Sequence, residues 1–180
     1  MAGLRGREAS WVRGAQEGSV PDLEALFREH WPRAHRAAFL VVQDAAAAED
    51  IAQEAFLAAI RALDRFDRSR PFGPWLHRIV VNRAIDWARA RTLRAEVGGD
   101  ALAERPAPDL LLDAYSEPVA AALAALAPEH RAVIVLRHLL EYTPGEIADM
   151  LDLPRGTVNS RLRRGLDRLR DELPEEDDDE

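Results

Sequence analysis

The stretch that most constrains the fold lies towards the C-terminal end, at residues 142–170. Thr143 can cap a helix, Pro144 suits its first turn, and Glu146 stands three residues after the cap. This pattern is a capping box with a proline at the first helical position. It predicts a short helix, which a three-residue break separates from a second helix that begins near Arg155.

The second helix has two different faces. Its apolar residues are spaced by four, four and three, which predicts one buried stripe of Val158, Leu162, Leu166 and Leu169. Its outer stripe carries hydroxyl and guanidinium groups on Thr157, Ser160, Arg161, Arg164 and Arg168. Two short helices joined by a tight turn, with a basic outer face on the second, are typical of a helix-turn-helix.

The charge of this segment decides between two interpretations. An ordinary helical hairpin could carry arginines only to solvate its surface. Here residues 155–170 hold six arginines and one aspartate, inside a chain of net charge −8. Such a local concentration of positive charge is the electrostatic mark of a phosphate-binding surface, and it favours DNA binding.

Composition excludes several other classes. There is no cysteine, the five histidines show no ligand spacing, and no apolar run approaches the roughly 20 residues of a membrane span. The first ten residues lack the apolar core of a secretory signal, so a cytoplasmic protein is expected. No phosphate loop, nucleophile motif or apolar pair of carboxylates occurs. We therefore predict no enzyme, catalytic residue, metal or cofactor.

Periodicity and breaker residues divide the chain. Helical spacing throughout predicts an all-α fold of two small helical domains joined by a flexible linker. The predicted segments are a flexible leader at 1–19, a first domain at 20–95, a linker at 96–117, a second domain at 118–173 and an acidic disordered tail at 174–180. Within the first domain, Pro32 is expected to kink or interrupt a helix.

A strong helix is predicted from Ala48 to Leu63. Opposite its buried face lies a polar face around one leucine, formed by Asp50, Gln53, Glu54 and Leu57. Simple solvation would explain this face from the pattern alone. Docking of a partner protein is the sharper hypothesis.

A basic, aromatic loop at residues 64–74 leads into a helix at 75–94. Residues 61–94 hold nine arginines against three acids, a second basic island in an acidic chain. Cations that meet phosphates, beside rings that stack on bases, are what a protein needs to hold single-stranded nucleic acid. The alternative is that Phe72, Trp75 and Trp87 are core residues, because aromatic residues at helical spacing usually are.

Several motifs together resemble one family, the bacterial RNA polymerase sigma factors of the sigma-70 superfamily, in their extracytoplasmic-function (ECF) group. Residues 48–56 (AEDIAQEAF) are similar to region 2.2 of that family. Regions 2.3 to 2.4 are matched by Pro74, Trp75, Leu76, Ile79, Asn82, Asp86 and Arg89. Region 4 is matched by Leu126, Pro128, Arg131, Tyr142, residues 146–148, Leu151, residues 156–158 and residues 160–162. The resemblance covers roughly residues 20–95 and 118–172.

The resemblance implies a set of partners and sites. The face of Asp50, Gln53, Glu54 and Leu57 would dock on the clamp helices of the polymerase β′ subunit. The second domain would sit on the β flap, the acidic linker would thread toward the active-site and RNA-exit channels, and an anti-sigma factor would be a further partner.

Promoter DNA would be contacted in two forms. Single-stranded DNA at the −10 element would meet Arg65, Arg70, Phe72, Trp75, Arg78, Asn82, Arg83, Asp86 and Arg89. Duplex DNA at the −35 element would meet Arg155, Thr157, Asn159, Ser160, Arg161, Arg164 and Arg168. The family often has a basic residue where Asn159 stands, and alanine is common at Gly165, where glycine should weaken the helix by about 1 kcal/mol.

The main rival is a two-domain transcription regulator that binds duplex DNA by itself. That interpretation leaves the basic, aromatic segment at 48–94 unexplained. The two differ in a simple property: a sigma factor should bind duplex promoter DNA poorly until core polymerase joins it, whereas a repressor should bind tightly alone.

Overall fold

The computed structural model describes residues 2–98 and 117–173. Within these ranges the chain is helical and has no strand, so the all-α prediction is confirmed. The helices are α1 (Ala2–Gln16), α2 (Val20–Val42), α3 (Ala45–Ala62), α4 (Phe72–Gly98), α5 (Glu117–Ala124), α6 (Pro128–Ile134), α7 (Pro144–Leu151) and α8 (Arg155–Glu172). A 3-10 turn, Leu63–Arg65, follows α3, and a π-helical turn, Val135–Leu139, follows α6.

Helix α1 replaces the flexible leader that was expected from the glycine content. Val12 is only 2% exposed and belongs to the core. Gly14 lies so close to α2 that a Cβ atom added there would approach Asp22 Oδ2 to 1.9 Å. The glycine therefore serves a close crossing of two helices, and tertiary packing overrides its weak helix propensity.

Helix α2 continues through Pro32 instead of breaking there. Proline removes the hydrogen bond to the carbonyl of the residue four positions earlier, which is Arg28. Arg28 is exposed, so water can replace the lost donor. The other end of α2 is closed by Gln43 in the left-handed conformation, with φ of 55°.

Helices α2, α3 and α4 pack against one another as a bundle. Their fully buried side chains include Leu26 and Val41 of α2 and Leu76 and Val80 of α4. Asp44 caps the start of helix α3, and its side chain accepts a hydrogen bond from Ala47 N at 3.0 Å. This bundle is the scaffold for both the polar face of α3 and the basic loop before α4.

Helices α5 to α8 form the second unit, in which α8 packs on α6. Val158 and Leu162 are buried as predicted, but Leu166 is 38% exposed. Gly165 is buried against α6, where an added Cβ would lie 2.7 Å from Ile134 Cδ1. The glycine that should weaken α8 locally thus lets the helix approach its neighbour closely.

The two units contact each other directly. One cluster of buried apolar residues includes members of both, from Val12 to Leu162, and α6 packs on α2 and α4. The sequence analysis anticipated two helical units but not this shared packing. Most of the predicted linker, residues 99–116, and the predicted acidic tail, residues 174–180, lie outside the described residues.

Candidate nucleic-acid interface

The capping box that opens α7 is present as predicted. Thr143 Oγ1 accepts a hydrogen bond from Glu146 N at 3.3 Å, and Glu146 Oε2 accepts one from Thr143 N at 2.8 Å. Asp152, in the left-handed conformation with φ of 52°, ends α7 and turns the chain into α8. Both helices of the predicted helix-turn-helix therefore start and end where the sequence indicates.

The outer face of α8 gathers the predicted duplex-binding residues. Arg155, Asn159, Arg164 and Arg168 are exposed, and Thr157, Ser160 and Arg161 are half-buried. One surface depression is lined by five residues of α8 and two of α6. They are Thr157, Ser160, Arg161, Arg164 and Gly156 with Glu129 and His130. Hydroxyl and guanidinium groups on one exposed helix face suit both the phosphates and the base edges of a major groove.

One carboxylate of α6 lies between the two basic islands. Glu129 Oε1 accepts a hydrogen bond from Arg89 Nε of α4 at 2.5 Å. Burial alone would raise the pKa of Glu129, but the Arg89 hydrogen bond and the charges of Arg89 and Arg161 lower it overall. The Glu129 carboxylate thus forms an ion pair with Arg89, which is predicted for −10, and is attracted by the charge of Arg161, which is predicted for −35.

The basic loop before α4 presents cations outward and keeps two rings inward. Arg65 and Arg70 are exposed, whereas Phe66 is 8% and Phe72 is 4% exposed. Phe72 packs edge-on against Trp75, with ring centroids 5.6 Å apart. Phe72 is therefore a core residue in this structure, as the alternative interpretation held, and the half-buried Trp75 is the more accessible ring.

Helix α7 lies over part of α4. Asn82 Nδ2 donates to the carbonyl oxygen of Met150 at 3.5 Å. Trp75 and Arg78 line a cleft whose other wall includes Tyr142 and Met150. The predicted single-strand surface thus faces the helix-turn-helix unit and is partly covered by it.

The remaining residues predicted for the −10 element lie along α4. Arg83 and Asn82 are half-buried, whereas Arg78, Asp86 and Arg89 are exposed. Arg83 Nη1 forms an ion pair with Glu54 Oε2 of α3 at 3.1 Å. This contact joins the predicted DNA surface to the predicted polymerase surface.

The polar face of α3 is free of core packing. Asp50, Gln53 and Glu54 are exposed, and Leu57 is 49% exposed. Within the described residues, the Gln53 side chain donates a hydrogen bond to Glu49 of the same helix, at 3.1 Å. A leucine held out of the core among polar residues is available for contact with another protein.

Sequence reasoning missed several long-range contacts made by the first turns of α4. Glu8 of α1 accepts hydrogen bonds from the backbone of Phe72 and Gly73, and His77 Nδ1 lies 2.7 Å from Tyr142 Oη. Burial, and less so the charges of His30 and Arg33, lowers the pKa of His77 to about 3. Residues 8, 12 and 16 are spaced by four and share one face of α1. This spacing was the only local sign in the sequence that one face of α1 makes contacts.

Comparison with known families decides the identity of the chain. The sequence pattern described as "Sigma-70 region 2" matches residues 26–94, and that described as "Sigma-70, region 4" matches residues 122–171. The chain belongs to the sigma-70 family of RNA polymerase sigma factors. A sigma factor binds core RNA polymerase and directs it to promoter DNA, and it is not an enzyme.

Curated relatives place this sigma factor in the ECF group. The chain is 30% identical to the ECF RNA polymerase sigma factor SigW of Bacillus subtilis, over 90% of this chain and 92% of SigW. It is 35% identical to SigL of Mycobacterium tuberculosis, over 91% of this chain and 96% of SigL. Identity to the sigma-E factor of Streptomyces coelicolor is 33%, over 87% and 88% of the two chains.

Solved structures share the fold of this sigma factor. CnrH, solved in complex with the cytosolic domain of CnrY, superposes with a TM-score of 0.67 at 27% identity, over 92% of this chain and 96% of CnrH. RpoE of Bartonella quintana, solved with the anti-sigma factor NepR, superposes with a TM-score of 0.68 at 23% identity, over 85% and 97% of the two chains. Among the described helices of this sigma factor, none could cross a lipid bilayer.

Proposed function

We propose that this sigma factor divides promoter recognition between its two basic surfaces. In this proposal the outer face of α8 reads duplex DNA at −35, and the loop at 65–71 with the exposed face of α4 captures the unpaired strand at −10. The polar face of α3 docks on the clamp helices of the β′ subunit. The observation that carries the proposal is the placement of the two arginine-rich islands on separate surfaces, one with hydroxyl groups and one beside the half-buried ring of Trp75.

The two surfaces should fail in different ways. Arg161→Ala and Arg164→Ala should weaken promoter binding, by roughly 1–3 kcal/mol where the side chain reads a base. Asn82→Ala and Trp75→Ala should leave closed-complex binding largely intact but block strand opening, because unpaired bases lose a hydrogen-bonding and stacking partner. Arg163→Ala and Arg94→Ala, exposed residues of α8 and α4 outside the predicted sites, are the matched controls.

The test is permanganate footprinting of thymines near −10 with reconstituted holoenzyme at saturating concentration. A premelted template should rescue the second class of variants and not the first. If both classes of variant open the DNA strands equally at saturating concentration, α4 has no role in opening the −10 element.

The proposal also requires that α7 leaves α4 when promoter DNA binds. Positions −35 and −10 are about 25 base pairs apart, roughly 85 Å along B-DNA at about 3.4 Å per pair. In contrast, Asn82 of α4 lies within 3.5 Å of the Met150 carbonyl oxygen in α7, next to the α8 helix. A chain in this compact arrangement cannot reach both elements at once.

The separation can be measured because the natural chain has no cysteine. Leu93→Cys on α4 and Arg163→Cys on α8, both exposed positions, can carry a pair of fluorophores. Energy transfer between them should fall when core polymerase and promoter DNA are added. Unchanged transfer in an active promoter complex would contradict the opening.

An inhibitory protein partner and a cytoplasmic location complete the proposal. The exposed apolar side chains Val20, Phe27 and Ile60 line a groove between α2 and α3 with a volume of about 270 Å³. Its apolar lining and its continuity with the α3 face suit an anti-sigma factor that competes with polymerase. Leu57→Asp should then weaken the binding of both core polymerase and the inhibitor, and cell fractionation would test the location.

A further inference from the structure

Helix α1 contacts the basic loop at both of its ends. Glu8, Val12 and Gln16 are spaced by four residues and share the face that contacts α4 and the loop. Val12 is 2% exposed and anchors this face in the core. The two polar residues on either side of Val12, Glu8 and Gln16, form hydrogen bonds to the loop and to the start of α4.

The first tie is made by Glu8 at the start of α4. Its Oε1 atom accepts hydrogen bonds from Phe72 N at 2.6 Å and from Gly73 N at 3.2 Å. The first N–H groups of a helix have no partner within the helix, and the residue before Phe72 is Pro71, which has no side-chain acceptor. A carboxylate 64 positions earlier in the chain therefore caps the helix and compensates its N-terminal dipole.

The packing around Glu8 is tight. His30 Nε2 lies 4.0 Å from Glu8 Oε1, and its ring packs against Phe72 with centroids 5.2 Å apart. A Cβ atom added to Gly73 would lie 3.1 Å from His30 Cε1. Glycine at position 73 thus leaves room for the histidine ring beside the capped helix start.

The second tie is made by Gln16 at the beginning of the loop. Its Nε2 atom donates to the carbonyl oxygens of Leu63 at 2.8 Å and Phe66 at 3.1 Å. Its Oε1 atom accepts a hydrogen bond from Arg68 Nε. One amide therefore fixes the turn after α3 and also orients an arginine of the loop.

We propose that α1 positions the basic loop for capture of the unpaired −10 strand, with Glu8 and Gln16 as positioning residues. The inference rests on the proposed −10 function of the loop. Fixed at both ends, the loop contributes Arg68, Ser69 and Arg70 to the lining of a cleft of about 360 Å³, which Glu8 and Val12 also line. Without Glu8, the N–H groups of Phe72 and Gly73 lose their hydrogen-bond acceptor. The end of the loop that leads into α4 is then no longer fixed to α1.

The experiment compares two DNA probes on reconstituted holoenzyme. One is the single-stranded −10 sequence that wild-type holoenzyme selects from a random pool, and the other is a −35 duplex selected in the same way. Glu8→Ala and Gln16→Ala should each weaken binding of the single strand about fivefold to tenfold and alter duplex binding by less than about twofold. Glu8→Gln retains a side-chain oxygen acceptor and should restore most of the affinity.

The control is Glu17→Ala, which removes an exposed carboxylate next to α1 and should change neither affinity. A purely structural role for α1 would lower the melting temperature and weaken both probes equally, and that result would overturn the inference. So would unchanged single-strand binding by Glu8→Ala. If wild-type holoenzyme selects no single strand at all, the −10 function of the loop fails, and this inference fails with it.

Discussion

Arg131 of α6 donates from Nη1 to the carbonyl oxygen of Val41, near the C-terminal end of α2, at 2.6 Å. Its Nη2 atom donates to the carbonyl oxygens of Ala124 at 2.9 Å and Leu126 at 2.8 Å. The side chain therefore joins the second helical unit to the first. Burial, with the nearby charge of Arg91, lowers the pKa of Arg131 to about 10, so the guanidinium remains charged at neutral pH.

Replacing Arg131 should weaken the contact between the two units and destabilise the folded chain. Arg131→Met removes the donors to three carbonyl oxygens and should reduce the free energy of unfolding by about 3 kcal/mol. Urea denaturation measures this loss. Arg163→Met, on the exposed side of α8, should stay within about 0.5 kcal/mol of wild type. A loss below about 1 kcal/mol for Arg131→Met would mean that the contact does not stabilise the interface.

The buried His77 should make stability fall in mild acid. Burial, aided by the charges of His30 and Arg33, lowers the pKa of His77 to about 3 from an unfolded value of 6.5. The unfolded state therefore binds a proton below pH 6.5 that the folded state does not. The contribution of neutral His77 to the free energy of unfolding is fully present above pH 6.5. As the pH falls toward 3, this contribution decreases by about 1.4 kcal/mol per pH unit.

His77→Gln should reduce that slope while keeping a polar partner for Tyr142. Burial also lowers the pKa of His30, against the opposing charges of Glu8 and Glu29, so part of the slope should remain. Chemical denaturation between pH 7 and pH 4 measures the change, with the exposed His138→Gln as control. An identical slope in His77→Gln and wild type would rule out His77 as its source.

The contacts that could be predicted from the sequence are the short-range ones. Thr143 and Glu146 are three residues apart, so their capping box depends only on local helix geometry. The burial of Val158 and Leu162 in α8 follows from the period of one helix in the same way, whereas Leu166 of the same predicted stripe is exposed. These local patterns were enough to identify the helix-turn-helix and its basic face.

The contacts that could not be predicted join residues far apart in the chain. Glu8 and Phe72 are 64 residues apart, His77 and Tyr142 are 65 apart, and Arg131 and Val41 are 90 apart. Helical periodicity says which face of a helix is buried but not which helix covers it. For the same reason the sequence left the burial of Phe72 undecided.

Gly165 offers a test of close packing against local propensity. Alanine inside a helix is favoured over glycine by about 1 kcal/mol, but the new Cβ would lie 2.7 Å from Ile134 Cδ1. Gly165→Ala alone should therefore be destabilising by about 1 kcal/mol. In an Ile134→Val background, which lacks Cδ1, the same substitution should be neutral or stabilising.

A double-mutant cycle on Gly165 and Ile134, measured by urea denaturation, gives their coupling energy. We expect a favourable coupling of about 1–2 kcal/mol, because each substitution relieves the defect of the other. Strict additivity would show that α8 can shift away from α6 at little cost. The glycine would then have no packing role.

The polar face of α3 provides the sharpest test of polymerase docking. Asp50 and Gln53 are exposed, and the only hydrogen bond described for either side chain, between Gln53 and Glu49, is itself exposed. Asp50→Ala with Gln53→Ala should therefore weaken binding to core polymerase by about tenfold, equivalent to about 1.4 kcal/mol. The melting temperature should stay nearly unchanged, because no core contact is lost. Asp171→Ala, exposed at the far end of α8, controls for the loss of a negative charge. Fluorescence titration with core polymerase measures the affinity, and wild-type binding by the double variant would move the docking surface away from this face of α3.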